Sequence, residues 1–342
     1  MKAAIYNPYL DTLGGGERYT LTFAKVLAEL GYDVDISWND IEIISKLENR
    51  FGEKLNEKIK IVENINRGDG YDICFWVSDG SIPTLKARKN LLHFQVPFHH
   101  LGSNTLLNKM KLFRVDNVIC NSNFTKNFID HEYGVESVVI YPPVDTEKFK
   151  PKRKEDLILC VGRFSELLQS KGQEILVKEF KKFYDSGNKK WKLILAGGSE
   201  VGSGEMLERI KKNSEGYPIK VILSPSFNEL KDLYGKSKIY WAATGFGVDE
   251  DKEPEKVEHF GISVVEAMSA GSVPIVFSAG GHKEIVTNKV NGYLWESLSD
   301  LNNMTLEIIK DKSLMKSLAL GALLFSKKYS YERFKLDVTK VL

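Results

Sequence analysis

Cysteine is scarce in this chain: 342 residues carry three, Cys74, Cys120 and Cys160, each inside an apolar run. An odd number so placed argues against a disulfide framework or a thiolate metal site, and reads as buried free thiols in a reducing compartment. An excess of one charge is also missing. Against 48 basic side chains stand 46 acidic ones, a net charge of +2, with no long run of either sign. Such a balance speaks against a nucleic-acid-binding protein or an acidic tail. No uninterrupted apolar run of about 18 residues occurs, so no spanning helix is expected. Lys-rich helices, such as the stretch around Lys109 and Lys111, still leave room for peripheral membrane contact. The opening residues read directly as a strand, with no secretory leader expected, which points to the cytoplasm or the cytoplasmic face of a membrane.

What the chain does have is core material. Its 42% hydrophobic and 11% aromatic residues exclude intrinsic disorder. A chain of this length can bury about three quarters of its extended surface, enough for two cores. Short β-rich apolar runs alternate with helical patterns from end to end. The first half predicts strands at 3–6, 34–37, 60–62, 73–77, 91–94, 118–121 and 138–141. Between the first two lies a helix over 17–30, where Tyr19, Phe23, Val26, Leu27 and Leu30 form one apolar stripe. At Tyr141-Pro142-Pro143 the pattern breaks, and the charged segment 148–156 reads as a linker. Strands resume at 157–161, 192–196, 220–223, 239–242 and 273–277; after Val290 the pattern is mostly helical, ending in an amphipathic helix from Tyr331. Repeated strand–helix–strand alternation implies right-handed crossovers and parallel sheets. The fold class is α/β, two doubly wound domains in tandem, and ligands of such sheets sit outside the carboxyl ends of the strands.

Three constellations fall in those loops. Gly14-Gly15-Gly16-Glu17 follows the first strand and precedes the first helix. Glycines let backbone approach a ligand closely, and a helix N-terminus favours anions, so this is either a phosphate or sugar contact or a flexible turn. Tyr19 occupies the third glycine position of a dinucleotide fingerprint, which disfavours that reading. The second constellation is Val161-Gly162-Arg163-Phe164 with Lys171-Gly172 before a helix, two cations suited to phosphate oxygens or simply a solvated loop. The third runs from Glu258 through His259-Phe260-Gly261-Ile262-Ser263 to Glu266. A short helix beginning near Gly261 would bury Val264, Val265 and Met268, leaving Glu258 in the preceding loop and Glu266 more than a turn in. Carboxylates accept hydrogen bonds from sugar or ribose hydroxyls, and the free amides at residues 260–263 suit a diphosphate.

In order and spacing these motifs resemble the retaining glycosyltransferases of family 4, which have the GT-B fold, over most of the chain. Gly14-Gly15-Gly16-Glu17 is similar to the family's Gly-Gly-Ala-Glu loop, with Gly16 in the alanine place. Asn121-Ser122-Asn123-Phe124-Thr125 and Tyr141-Pro142-Pro143-Val144-Asp145 are similar to stretches before its interdomain linker. Glu258 and Glu266 match its Glu-x7-Glu signature, and Ala267-Met268-Ser269-Ala270-Gly271 and Pro274 continue the match. The resemblance implies two Rossmann-like domains facing across a cleft: residues 1–150 on the acceptor side, 151–328 binding a nucleotide sugar, and a closing helix at 329–342 that could cross back to the first domain. It implies that Arg163 and Lys171 bind the donor diphosphate, that Glu266 holds the ribose, and that Glu258 contacts the transferred sugar beside Phe260, Gly261 and Ile262. Gly15 and Gly16 would lie against the phosphates from the opposite domain, with closure about a hinge near residues 143–151. His93 is similar in position to a histidine near the reacting sugar, although Gln95-Val96 and the neighbouring His99 and His100 depart from the family, and a structural histidine fits equally.

The expected activity is transfer of a hexose, with retention, from a nucleotide-diphosphate sugar to a glycan or lipid-linked acceptor. The phrase His259-Phe260-Gly261-Ile262 with Val264-Val265-Glu266 is most similar to mannosyltransferases of lipid-linked oligosaccharide assembly. It favours GDP-mannose over a UDP-sugar as co-substrate. No further cofactor, metal or nucleic-acid partner is implied, and Asp249-Glu250-Asp251 is a consecutive acidic loop that a solvated surface explains as well as a metal would. Lys171 follows Arg163 by eight residues where the family's spacing is nearer five. Either the loop between them is extended, with Leu167-Leu168 as a flap, or Lys171 is a surface charge. Two other classes remain: a nucleotide-dependent oxidoreductase and a non-catalytic nucleotide-sugar-binding protein.

Overall fold

A computed structural model describes residues 1–165, 169–199 and 202–342, so the Leu167-Leu168 flap lies outside the described residues. The chain forms two compact units: residues 1–143 with 331–342, and residues 144–330. Each is built on one parallel sheet.

The first unit contains strands β1 (Lys2–Tyr6), β2 (Asp33–Ser37), β3 (Ile59–Val62), β4 (Ile73–Val77), β5 (Lys89–Phe94), β6 (Asn117–Cys120) and β7 (Val138–Val139). Their order across the sheet is β3-β2-β1-β4-β5-β6-β7, parallel throughout, with Ala3 opposite Val34 on one side and Ile73 on the other. Its helices are α1 (Gly15–Glu29), α2 (Ile43–Phe51), α3 (Leu106–Leu112), α4 (Asn123–Tyr133) and the chain's closing helix, Tyr331–Val341. Helices on both faces oblige central strands to be apolar in every position, as Ile73-Cys74-Phe75-Trp76-Val77 is. Tyr19, Phe23, Val26 and Leu27 of α1 bury the expected stripe against Ile5 and Phe75 of the sheet and against Phe334 and Val338 of the closing helix.

The second unit contains β8 (Glu155–Val161), β9 (Lys192–Gly197), β10 (Ile219–Leu223), β11 (Ser237–Ala242), β12 (Val273–Phe277) and β13 (Tyr293–Trp295) in the order β10-β9-β8-β11-β12-β13, again all parallel. Around it pack α5 (Gln173–Asp185), α6 (Gly204–Ser214), α7 (Phe227–Lys236), α8 (Ile262–Ser269), α9 (His282–Ile285), α10 (Leu298–Lys310) and α11 (Lys312–Ser326). Strand order reverses between β1 and β4 in one unit and between β8 and β11 in the other. Those switch points are where crevices open at the strand ends.

Four local expectations change. The strand expected at 138–141 is two residues long, because Pro142 and Pro143 lack the amide hydrogens that would extend it. The expected linker at 148–156 is docked: Phe149 is fully buried against Phe227 and Tyr234, the Lys152 amide bonds to the Gly235 carbonyl, and β8 already begins at Glu155. Helix α1 begins at Gly15, not Glu17. Finally, β13 lies where a helical pattern was read; pairing with β12 and the burial of Tyr293 and Trp295 outweigh a weak local signal. The three cysteines are free and buried, and burial pushes each thiol up to about 12.

Candidate functional site

At the β8/β11 switch point the second unit gathers its charged loops. Val161 ends β8, and Gly162 and Arg163 follow. A Cβ on Gly162 would stand 2.7 Å from Lys171 Cγ, so only glycine lets the lysine stem cross the backbone there. A Cβ on Gly197, at the end of β9, would meet the Gly162 carbonyl at 2.0 Å. Gln173, buried in the first turn of α5, donates to the Arg163 carbonyl at 2.9 Å and fixes the loop from below, while the Arg163 side chain is exposed.

Lys171 sits one residue before Gly172, the N-cap of α5. A cation beside a helix N-terminus needs a compensating anion. The chain supplies one: Lys171 Nζ lies 2.9 Å from Glu258 Oε2 and 2.6 Å from Gln169 Oε1, and both charged side chains are about one-sixth exposed. Burial would raise the Glu258 carboxyl, but Lys171 and, more weakly, His282 and His259 prevail and hold it at about 2. Glu258 is therefore ionised at any physiological pH, a hydrogen-bond acceptor and not a proton donor.

The loop carrying Glu258 is clamped by the turn after β12. The Gly281 amide donates to the Glu258 carbonyl at 2.7 Å, and a Cβ on Gly281 would fall 2.4 Å from Phe260 Cα. Glu250 accepts from the Gly280 amide at 2.7 Å and pairs with Lys283, so this member of the acidic loop is a structural anchor, a correction to the solvated reading. Phe260 points into the core, edge-on to Tyr329. Gly261, at φ +116°, opens α8 and has no side chain with which to cap it. Its first amides are left for an outside acceptor.

Further along α8, Val264, Val265 and Met268 are fully buried as expected, and Glu266 is 8% exposed. Tyr234 is buried beside it; burial first, and the Glu266 carboxylate second, hold the phenol well above its ordinary range. Tyr240 links the two sides of the switch point: its hydroxyl donates to the Val161 carbonyl (3.0 Å) and accepts from the Ser263 hydroxyl (2.9 Å). Arg163, Lys171, Glu258, Phe260, Gly261, Ile262 and Glu266 thus converge on one set of strand ends. His282, which the sequence reading passed over, joins them. It is fully buried, bonded through Nδ1 to the Phe277 carbonyl, with Nε2 unpartnered among the described residues. Its place just after a strand, behind Gly280-Gly281, was the available signal.

Gly15, Gly16 and His93 lie in the first unit. Glu17 folds back so that its carboxylate accepts from the Gly14 amide and the Thr12 hydroxyl, both at 2.7 Å, which fixes the glycine turn. A Cβ on Gly16 would fall 2.0 Å from Gln95 Oε1, so a larger residue at position 16 would push the end of the Gln95 side chain aside. His93 is completely buried, stacked on Tyr19 with ring centroids 4.2 Å apart, and bonded through Nδ1 to the Ile119 carbonyl. Burial pushes it down to about 3, leaving it neutral. Asp33-Val34-Asp35, whose spacing would suit a metal, lies in β2, where Asp35 accepts from Tyr71. Among the described residues no cluster of three or more metal-ligating side chains occurs.

Two Rossmann-like parallel sheets, each with its strand order reversing at a switch point, make this a GT-B glycosyltransferase fold. Solved structures agree: the Anabaena protein HepE in complex with UDP and glucose has a TM-score of 0.75 at 17% identity, covering 99% of this chain and 98% of that one. A glycosyltransferase from Rickettsia africae has a TM-score of 0.78 at 18% identity, covering 99% and 97%. The family model described as glycosyl transferases group 1 matches residues 143–321, more than half of the chain, and the chain belongs to this family. It is 27% identical over 299 residues to an uncharacterised glycosyltransferase of Methanocaldococcus jannaschii, covering 82% of this chain and 78% of that one. It is also 28% identical over 214 residues to the human GDP-Man:Man(3)GlcNAc(2)-PP-Dol alpha-1,2-mannosyltransferase, covering 54% of this chain but only 39% of that protein.

Proposed function

We propose that this glycosyltransferase transfers a hexose from a nucleotide-diphosphate sugar, with retention of anomeric configuration, and that its donor site is the charged cluster at the β8/β11 switch point. The observation that carries the reading is the buried Lys171–Glu258 pair beside the uncapped start of α8. A lysine paired with a carboxylate, an exposed arginine after β8, the first amides of α8 and a second carboxylate along that helix match the parts of such a donor. Arg163, Lys171 and the α8 amides take the diphosphate. Glu266 accepts from the ribose hydroxyls, and Glu258, already ionised, accepts from hydroxyls of the transferred sugar. As the nucleoside diphosphate departs, the negative charge that grows on its oxygens is met by preplaced cations and amides, which lowers the barrier more than it strengthens ground-state binding. Lys171 is shared between Glu258 and the leaving phosphate. The human relative's printed donor and the local phrase around His259 support GDP-mannose, and the same relative supports a lipid-linked glycan acceptor. A thermal-shift panel of GDP- and UDP-sugars tests the donor. A bound donor at about 100 Kd adds ~2.7 kcal/mol of apparent stability, with GDP-mannose expected to give the largest shift. A panel in which no nucleotide sugar moves the melting temperature contradicts the reading.

A further inference from the structure

Apolar side chains are ordinarily scattered singly over a protein surface; a concentration of them marks an interaction site. Helix α3 of the first unit is such a concentration. None of its residues is buried. Leu106 is 77% exposed, Leu107 62%, Met110 65% and the C-cap Phe113 92%, while Leu101, in the loop before it, is 52% exposed. At helical spacing Leu106, Met110 and Phe113 fall on one face, with Leu107 beside them, and that face looks outward. The inner side is held by small contacts: Asn108 donates to the Ser103 carbonyl, and Thr105 caps the helix. The arrangement inverts an ordinary surface helix.

Charge says what covers it. Residues 80–115 contain no aspartate or glutamate, in a chain where the two acids number 46 in 342. Lys109 and Lys111 flank the apolar face on its two sides, with Arg114 next to Phe113. Neither lysine has an ion-pair partner among the described residues, and Arg114 spends one donor on the Leu85 carbonyl. Glu132 reaches this segment at the Ser103 amide, on the inner side. An apolar wedge bordered by cations complements a surface that is apolar within and anionic at its rim, which describes an anionic lipid bilayer.

We infer that α3 is a membrane-docking element: Leu106, Leu107, Met110 and Phe113 insert among the acyl chains of an anionic bilayer while Lys109, Lys111 and Arg114 engage its headgroups. The inference does not depend on the donor, since it is read without turnover. Purified full-length protein is floated with vesicles of phosphatidylcholine alone or with phosphatidylglycerol added, at low and high salt. Binding to the anionic vesicles is expected, weakened by salt. Phe113→Ser, which touches no core, should weaken it by about tenfold or more, and Lys109→Gln with Lys111→Gln by roughly fivefold each. Sedimentation in the absence of lipid is run in parallel. Failure to float with either vesicle overturns the inference. So does flotation that survives both sets of substitutions, which would move the contact to another basic surface, and so does a dimer dissolved by Phe113→Ser, which would make a second copy the occupant.

Discussion

Glu258 and Lys171 stabilise one another only while both are charged, and this fixes a pH signature. Folding moves the Glu258 carboxyl down from 4.5 to about 2. A carboxyl depressed in the folded state contributes its stability in full above the unfolded value and loses it as pH falls through the folded one. The contribution, on the order of 3 kcal/mol, should therefore disappear between about pH 5 and pH 2, and Glu258→Gln should flatten that part of the denaturation profile. Because the pair is buried, removing one partner strands the other: Lys171→Ala is expected to cost roughly 3 kcal/mol or more. The combination of Lys171→Ala and Glu258→Gln should cost distinctly less than the two single changes added. Urea titrations of the four proteins give the coupling directly, and additive costs would mean that the pair is not formed.

At the scale of elements, the site depends on backbone brought unusually close to backbone. Gly281 has an ordinary φ of −63°, so its constraint is space alone. A methyl there meets Phe260 Cα, Phe260 O and His259 O within 2.7 Å, and no rotamer change relieves a clash with main chain. Gly281→Ala should cost about 1–3 kcal/mol and displace the loop that carries Glu258, so donor affinity should fall even where the protein stays folded. Melting curves and donor titration of the variant check both. Such contacts explain which parts of the site could be read from sequence. Arg163, Lys171, Glu258 and Glu266 stand in recognisable spacing beside periodic strands and helices, and Lys171 and Glu258 form an ion pair. His282, the Gly280-Gly281 clamp and the Gly16–Gln95 contact are long-range, and no local pattern announces them. The same holds for β13, a three-residue strand made by its neighbour, and for Phe149, whose charged surroundings read as linker although its ring is buried.

At the scale of the molecule, two units are woven from one chain, because the closing helix returns to the unit in which the chain began. Within the second unit the chain's entry at Val144 and its exit at Ser330 meet in an isolated parallel bridge, the Val144 amide bonding to the Tyr329 carbonyl at 2.7 Å. Deleting residues 331–342 uncovers Tyr19 and Phe23, which Phe334 contacts edge-on, and removes two fully buried side chains from the first core. Calorimetry of the truncated chain should show the first unit melting at lower temperature or already unfolded, and the second unit's transition nearly unmoved.

The central claim is that the Lys171–Glu258–Glu266 cluster binds the nucleoside diphosphate part of the donor. Isothermal titration of GDP and UDP into the wild-type protein and Glu266→Gln tests it most directly, with no need for an acceptor. At least one of the nucleotides should bind the wild type. Glu266→Gln should bind it roughly 10–150-fold more weakly, the 1.5–3 kcal/mol that a hydrogen bond to a charged group supplies. Equal affinities, or no heat from either nucleotide, would contradict the account.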